Sequence, residues 1–393
     1  MLAKQDLAAV IAGVSATLVG IGLARFAYAP LLPALIEQQW LTAAEAAYVG
    51  AANLLGYLIG ALIAHRLSER FAPRQVMAAS FAVIVLGFLF CAQPGGFAWF
   101  LFWRLIVGVA SAVLMVVGPS VALSATAAER RPMVGALVFT GIGLGILFSA
   151  TLVPLLLGVG LASTWLVLGL LCLVMGVIGT HSMDQLTIAV PAVAQSEGAP
   201  GMVRNIPVLV VGLVIAAYAL DALGFVPHSL FWVDFLARQA QLGQAAASLQ
   251  WGLFGLGALL GPLAAGFVAR RLGWHRALTL AFALKALAIC LPLISVALFS
   301  RSLSSLLFGA MVPGIVALTS GRLAELVGPQ AHKRIWGLAT AAFAAAQALS
   351  GYGMSALYVM QGSYLPLFAI ATAMLVCGLG LVVLSRSLAT RQS

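Results

Sequence analysis

The sequence predicts an all-helical integral membrane protein of twelve transmembrane spans arranged as two duplicated six-helix bundles. Three observations carry this expectation: the apolar composition, the length of the apolar segments, and the sorting of basic residues along the chain. Of 393 residues, 63% are hydrophobic and 8% charged, and the mean hydropathy is +1.11. Soluble domains lie near about 50% apolar and about 25% charged. Only helices or closed barrels satisfy backbone hydrogen bonds in lipid, and the apolar segments here run for roughly 20 to 30 residues rather than alternating in strands of about ten. Helices are therefore expected throughout.

Charged and Pro/Gly-rich breaks punctuate the chain. The first apolar run, 7–36, follows Asp6 and stops at Glu37; the second, 45–64, ends at His65 and Arg66. The third and fourth, 76–93 and 97–122, are parted by "QPGG", and the fifth, 133–157, opens after "ERRP". A sixth, 163–180, ends at His181. Six more follow at 206–236, 246–269, 277–299, 303–321, 336–360 and 364–385, broken in turn by segments that carry Arg238, Arg270 and Arg271, Arg301, Arg322 to Arg334, and Gly362. The first run is too long for a cleaved leader and is expected to remain as a span. Cys91, Cys172, Cys290 and Cys377 are scattered through apolar segments, where a thiol behaves as a small hydrophobe; neither a disulfide nor a metal site is expected.

A net charge of +10 would suggest nucleic acid in a soluble protein. Here the positions of the charges give another meaning. With both termini cytoplasmic, the inner loops and tails carry Lys4, Arg66, Arg70, Arg74, Arg130, Arg131, Arg204, Arg270, Arg271, Arg276, Arg322, Lys333, Arg334, Arg386 and Arg391, and the outer loops only Arg238 and Arg301. That asymmetry satisfies the positive-inside rule and predicts a multi-pass protein of a bacterial-type plasma (inner) membrane. Its expected surroundings are the lipid bilayer, with no nucleic acid partner.

The longest stretch without an apolar run, 182–205, reads as a flexible cytoplasmic linker. It separates an N-terminal bundle, 1–181, from a C-terminal bundle, 206–393. The halves echo each other: "VALS" at 121–124 is matched by "VALT" at 316–319, and "AHRL" at 64–67 by "ARRL" at 269–272. Duplicated six-span bundles related by a pseudo-two-fold axis are the build of an alternating-access transporter.

The first span, "GIGLARFAYAPLLP" at 20–33, with "NLLGYLIGALIA" at 53–64 and "FTGIGLGILFSATLVP" at 139–154, resembles the YbfB/YjiJ-like branch of the major facilitator superfamily (MFS) over essentially the whole chain. "RLIVGVASA" at 104–112 resembles the superfamily's fourth-span motif of an arginine followed four residues later by glycine. Two features depart from the pattern. Ala64 stands where an acidic residue usually follows the loop glycine, Gly60, and Asp221 interrupts "YALDALGFVPHSLFWVDF" in the seventh span. The resemblance implies the MFS fold, a monomer, and transport of a small molecule.

Arg25 is the residue that most needs explaining. It lies roughly 27 Å along its helix at 1.5 Å per residue, and burying it in hydrocarbon costs at least about 2.5–3.5 kcal/mol unless it is paired or hydrated. The neighbouring Pro30 and Pro33 indicate a bent helix against protein, so a cavity-facing guanidinium is expected. Arg104 sits at a similar depth; in the resembled fold both spans line the central cavity, so the two would share an anion, unless Arg104 is a helix clamp on backbone carbonyls. Asp221 reads as the only acidic residue buried within a span, the others falling in loops, tails or span ends, and it stands opposite Arg25 by symmetry. Pairing that is made and broken would let it load and release a proton; a static ion pair is the alternative.

His228 follows Pro227 and is a second titrating group or a cargo contact, unless it is structural, as a lone histidine near a helix break more often is. Lys285 lies in the ninth span, peripheral in the resembled fold, where snorkelling or interhelix pairing is expected. Tyr28, Asn53, Tyr57, Gln250, Trp251 and Gln347 fall mid-span on helices that line the cavity in that fold and are candidate cargo contacts. "GIGLG" at 141–145 lacks the strand that a nucleotide loop needs and reads as close helix packing; no phosphate loop is present, so no cofactor and no ATP-driven mechanism is expected. No nucleophile or acid–base cluster suggests an enzyme, and no soluble output domain suggests a sensor.

The expected function is proton-coupled symport of a small organic anion such as a monocarboxylate, with small molecule and protons as partners. The alternative is proton-driven efflux of amphipathic or cationic compounds.

Overall fold

The structure is a computed structural model that describes residues 4–127, 129–186 and 208–389. Most of the expected linker, with Arg204, and the tail with Arg391 lie outside the described residues. The described residues form helices joined by short turns: α1 Asp6–Glu37, α2 Ala43–Arg70, α3 Pro73–Phe90, α4 Gly96–Ser124, α5 Arg131–Leu157, α6 Leu161–Met183, α7 Val208–Gln239, α8 Gly243–Leu272, α9 Trp274–Ile294, α10 Leu298–Gly328, α11 over 329–361, and α12 Leu365–Ala389. Eleven of these, all but α11, are long and apolar enough to cross a membrane. α11 lies in the expected place, but Ala, Gly and Ser dominate its sequence, which suits contact with other helices better than contact with lipid. Gly328, at φ 74°, turns the chain between α10 and α11.

Local chemistry sets the ends. Thr42 and Glu45 form a reciprocal capping box at the start of α2, with Thr42 N–H donating to Glu45 Oε2 at 2.8 Å. Pro73 opens α3 at its first turn, where no amide hydrogen is needed. Large apolar side chains such as Leu62, Leu155, Val177, Leu349 and Met360 are exposed around the outside, as a lipid-facing belt requires.

α1 and α7 are both broken near their middles. In α1 the backbone widens into π-helical turns over Leu18–Leu23, passes through an irregularly hydrogen-bonded turn at 24–27, and resumes as α-helix at Tyr28. In α7 the π-helical turn Pro227–Phe231 does the same. Each break frees a backbone carbonyl that the rest of the protein must satisfy.

The halves repeat one close contact. A Cβ added at Gly56, Gly60 or Gly108 would lie 2.0, 2.2 or 2.2 Å from a backbone oxygen of Leu105, Val109 or Asn53, so α2 and α4 cross with their backbones touching. Gly257, Gly261 and Gly309 bring α8 against α10 in the same way, at 2.3, 2.2 and 2.0 Å from oxygens of Leu306, Ala310 and Phe254. The glycines pair as 56 and 257, 60 and 261, 108 and 309, which is one constant offset. "GIGLG" packs α5 on α1, where a Cβ at Gly145 would lie 2.6 Å from the Gly22 Cα.

Ion pairs Arg130–Asp6 and Arg74–Asp184, both 2.6 Å, tie together the end of the bundle where most of the arginines collect. We call this the basic end. Toward the other end the halves are joined: Gln244 Nε2 donates to the Pro30 carbonyl at 2.9 Å, Ser355 Oγ to that of Ala47 at 3.1 Å, and Trp251 Nε1 to Ser149 Oγ at 3.1 Å.

Candidate functional site

Between the halves lies a cavity of about 450 Å³, whose lining runs from Leu123, Ser320 and His332 at the basic end to Arg25, Phe26 and Tyr57 midway along the helices. Beyond that level Phe26 packs edge-on against Trp251 and Phe254, with centroids 6.0 and 5.7 Å apart, and closes the space.

Arg25 projects from the broken middle of α1, where the open backbone gives its side chain a lateral path into the cavity. Its guanidinium carbon lies 5.5, 5.6 and 5.0 Å from the ring centroids of Phe26, Tyr57 and Phe225, and its buried Nη2 has no hydrogen-bond partner. Aromatic faces hold a cation by their quadrupoles, with about 0.5–2 kcal/mol per contact. They leave its N–H groups free to donate.

Asp221, on α7, lines the same cavity and accepts a hydrogen bond from Lys285 Nζ of α9 at 2.6 Å, with both side chains buried. The ammonium also lies 5.3 and 5.0 Å from the rings of Phe225 and Phe308. Phe225 therefore touches both cations of the cavity. Asp221 and Lys285 cancel, and Arg25 remains as the charge without a counter-ion. Gln347, on α11, is buried against the cavity with neither amide atom hydrogen-bonded.

Arg104 is placed differently from the expectation that it shares an anion with Arg25. Its Nη1 donates to the Ala24 carbonyl at 2.7 Å, and its guanidinium stacks over Tyr28 at 4.8 Å, outside the cavity lining. The break in α1 explains this: Tyr28 N–H turns to the Arg25 carbonyl, which strips Ala24 of its helical donor, and Arg104 replaces it. The clamp alternative describes the contact.

Other expected cargo contacts are occupied within the protein. Tyr28 hydroxyl donates to the Ala46 carbonyl at 2.7 Å and Asn53 Nδ2 to the Arg104 carbonyl at 3.1 Å. Gln250 binds Ser302 and Ser305, and Trp251 binds Ser149. His228 is stacked between Trp232 and Phe308, both at 4.5 Å, with Nε2 at 2.8 Å from Ser304 Oγ. None of these five lines the cavity, whereas Arg25, Tyr57, Asp221 and Gln347 do.

Two further expectations are corrected. Asp221 is not alone in burial, because Asp6 and Asp234 are equally enclosed. Asp234 is held by Arg238 at 2.5 Å and by the Tyr364 hydroxyl, away from the cavity. Lys285 does pair between helices, but it lines the cavity rather than snorkelling from a peripheral span. Sequence reasoning set Lys285 away from the cavity and did not single out Trp336 or Phe343. Lys285 did leave a signal: it is the one lysine within a span, and it shares a half with the one aspartate at midplane depth.

A family profile described as uncharacterised MFS-type transporter YbfB matches residues 17–383. This chain belongs to that family. The putative uncharacterized transporter YgaY of Escherichia coli strain K12 is 29% identical over 142 residues, 36% of each chain. An uncharacterized MFS-type transporter of Mycobacterium tuberculosis, Rv1250, is 26% identical over 201 residues, 51% of this chain and 28% of that one. In these matches the chain thus spans 36% and 28% of the curated relatives' own lengths. Among solved structures, the POT family transporter PepTSo superposes with a TM-score of 0.77 at 12% identity, covering 100% of this chain and 99% of the other. The xylose transporter XylE from E. coli gives 0.75 at 14%, covering 96% and 98%. The fold is that of the MFS, two six-helix bundles, and the protein is a multi-pass membrane transporter.

In this MFS transporter the halves meet beyond Phe26 and part toward the basic end, and Arg25 sits at the floor of the space between them. A donor without a partner, at the closed end of a largely apolar chamber with six aromatic walls, can seize one anionic group and orient an apolar body behind it.

Proposed function

We propose that the protein is a proton-coupled symporter of a small organic anion, monocarboxylate-like, that works by alternating access. Arg25 is the observation that carries this reading. It is the cavity's uncompensated charge, it keeps an unpartnered Nη2, and the only carboxylate among the described lining residues is neutralised by Lys285. An anion would gain charge-assisted hydrogen bonds there, whereas a cation would meet like charge in a low-dielectric space.

In this account Tyr57 and Gln347 contact the cargo beside Arg25. Arg104, Tyr28, Asn53, His228, Gln250 and Trp251 hold the helices that surround it. Asp221 takes the proton: once protonated it no longer attracts Lys285 by charge, so loading alters the field that the anion meets. The fifteen basic residues assigned to inner loops and tails support an inner-membrane location with both termini cytoplasmic, so that the cavity opens to the cytoplasm. The transporter would act as a monomer.

The test is proton flux in proteoliposomes holding a pH dye, screened with small carboxylates and with lipophilic cations. Carboxylate-dependent acidification of the lumen, lost in Arg25→Ala and in Asp221→Asn, is expected. Proton movement with cations only, surviving Arg25→Ala, would overturn the anion reading in favour of cation efflux.

A further inference from the structure

Gln347 is 1% exposed, lines the cavity, and has neither Oε1 nor Nε2 hydrogen-bonded. Buried polar atoms are paired in the great majority of cases, and each one left alone carries an unrepaid desolvation cost. A carboxamide presents an acceptor and a two-hydrogen donor on one rigid plane. A second carboxylate on the cargo would answer only the donor and leave Oε1 stranded, whereas a hydroxyl or an amide both gives and takes.

The walls beside it are aromatic. Phe26, Tyr57, Phe139, Phe225, Trp336 and Phe343 face the same space. Behind two of them Tyr218 stacks on Trp336, with centroids 5.7 Å apart and planes inclined by 28°, and lies 4.5 Å from Phe343 at 31°. That backing fixes the planes of both rings, so this part of the wall is a preset flat surface. Flat rings bind other flat rings in offset or edge-on arrangements worth more than their buried area alone. Arg25 already occupies the cation position over three of the faces, which leaves the others for a neutral ring.

From the orphaned carboxamide, the backed aromatic walls and the free guanidinium in one cavity, we infer that the cargo is an aromatic monocarboxylate bearing a hydroxyl or amide group. The carboxylate goes to Arg25, the ring lies between the aromatic walls, and the polar substituent meets Gln347. The inference rests on the anion reading of Arg25.

The experiment is isothermal titration calorimetry on the purified full chain with benzoate, the three hydroxybenzoates, cyclohexanecarboxylate and phenyltrimethylammonium. At least one hydroxybenzoate is expected to bind about tenfold more tightly than benzoate, which is about 1.4 kcal/mol, and benzoate more tightly than cyclohexanecarboxylate. In Gln347→Leu and in Gln347→Met the hydroxybenzoate-to-benzoate ratio should fall to near one. The wild-type ranking stands by itself should either variant fail to purify. Carboxylates that bind with no hydroxyl preference, a preference that survives both variants, or cyclohexanecarboxylate equalling benzoate would each overturn this inference alone. Binding of phenyltrimethylammonium in place of every carboxylate would overturn the anion reading and this inference with it.

Discussion

α1 and α7 occupy equivalent places in the two halves, and both break near the middle, yet they use the break differently. In α1 the freed Ala24 carbonyl is satisfied by Arg104, and the charge it carries at the break, Arg25, is left without a counter-ion. In α7 Pro227 lacks an amide hydrogen, the freed Leu223 carbonyl takes a hydrogen bond from Ser350 of α11 at 2.8 Å, and the nearby Asp221 is neutralised by Lys285. One half therefore offers charge to a ligand, and the other stores a balanced pair. Burial of an arginine does not by itself decide what the residue does. Arg25 and Arg104 are close in depth and each keeps an unpaired buried nitrogen, Nη2 and Nε, but of the two only Arg25 lines the cavity.

Changes that disturb the shared frame should have the largest effect. Gly108→Leu places a side chain where even a Cβ would sit 2.2 Å from the Asn53 oxygen, against backbone that cannot yield. We expect no monodisperse protein by size-exclusion chromatography. Gly309→Leu should fail equally, because it breaks the matching contact in the other half.

Breaking the stored pair comes next. Lys285→Ala leaves a buried carboxylate alone, and losses of about 3–5 kcal/mol follow when one partner of a buried pair is removed. Asp221→Ala with Lys285→Ala should recover much of that loss in thermal unfolding, and a double variant no more stable than Lys285→Ala alone would contradict the pairing. Arg104→Ala should cost about 1.5–3 kcal/mol, as expected for a hydrogen bond from a charged donor. Ser350→Ala, which removes a neutral donor from the equivalent carbonyl in α7, should cost about 1 kcal/mol. Equal losses at these two positions would remove the contrast between the breaks.

Much of the fold was legible in the sequence because lipid leaves few choices: long apolar runs must be helices, and arginines collect at one end. α11 was legible as the run 336–360 from the charged and glycine breaks on either side, although its Ala- and Gly-rich sequence leaves it short of the hydropathy of the other eleven helices. Arg25, Tyr57, Asp221 and Gln347 were legible as cavity residues because polar groups mid-span need a reason to be there. Arg104, Asn53 and Gln250 share that property but answer it with partners within the protein, and partners brought together by helix packing leave no trace in spacing. The pairing of Asp221 with Lys285 instead of Arg25 depended on which of two cations α9 and α1 would bring nearer, a tertiary fact.

The proposed mechanism turns on one division of labour, in which Arg25 binds cargo while Arg104 holds the break in α1. The most direct measurement sets Arg25→Ala beside Arg104→Ala, with carboxylate-dependent proton uptake per folded protein and the thermal unfolding midpoint read on each. Arg25→Ala is expected to lose uptake and keep its midpoint, whereas Arg104→Ala should lower the midpoint and retain carboxylate dependence in the fraction that stays folded. Uptake that survives in Arg25→Ala and vanishes in a fully stable Arg104→Ala would contradict that division.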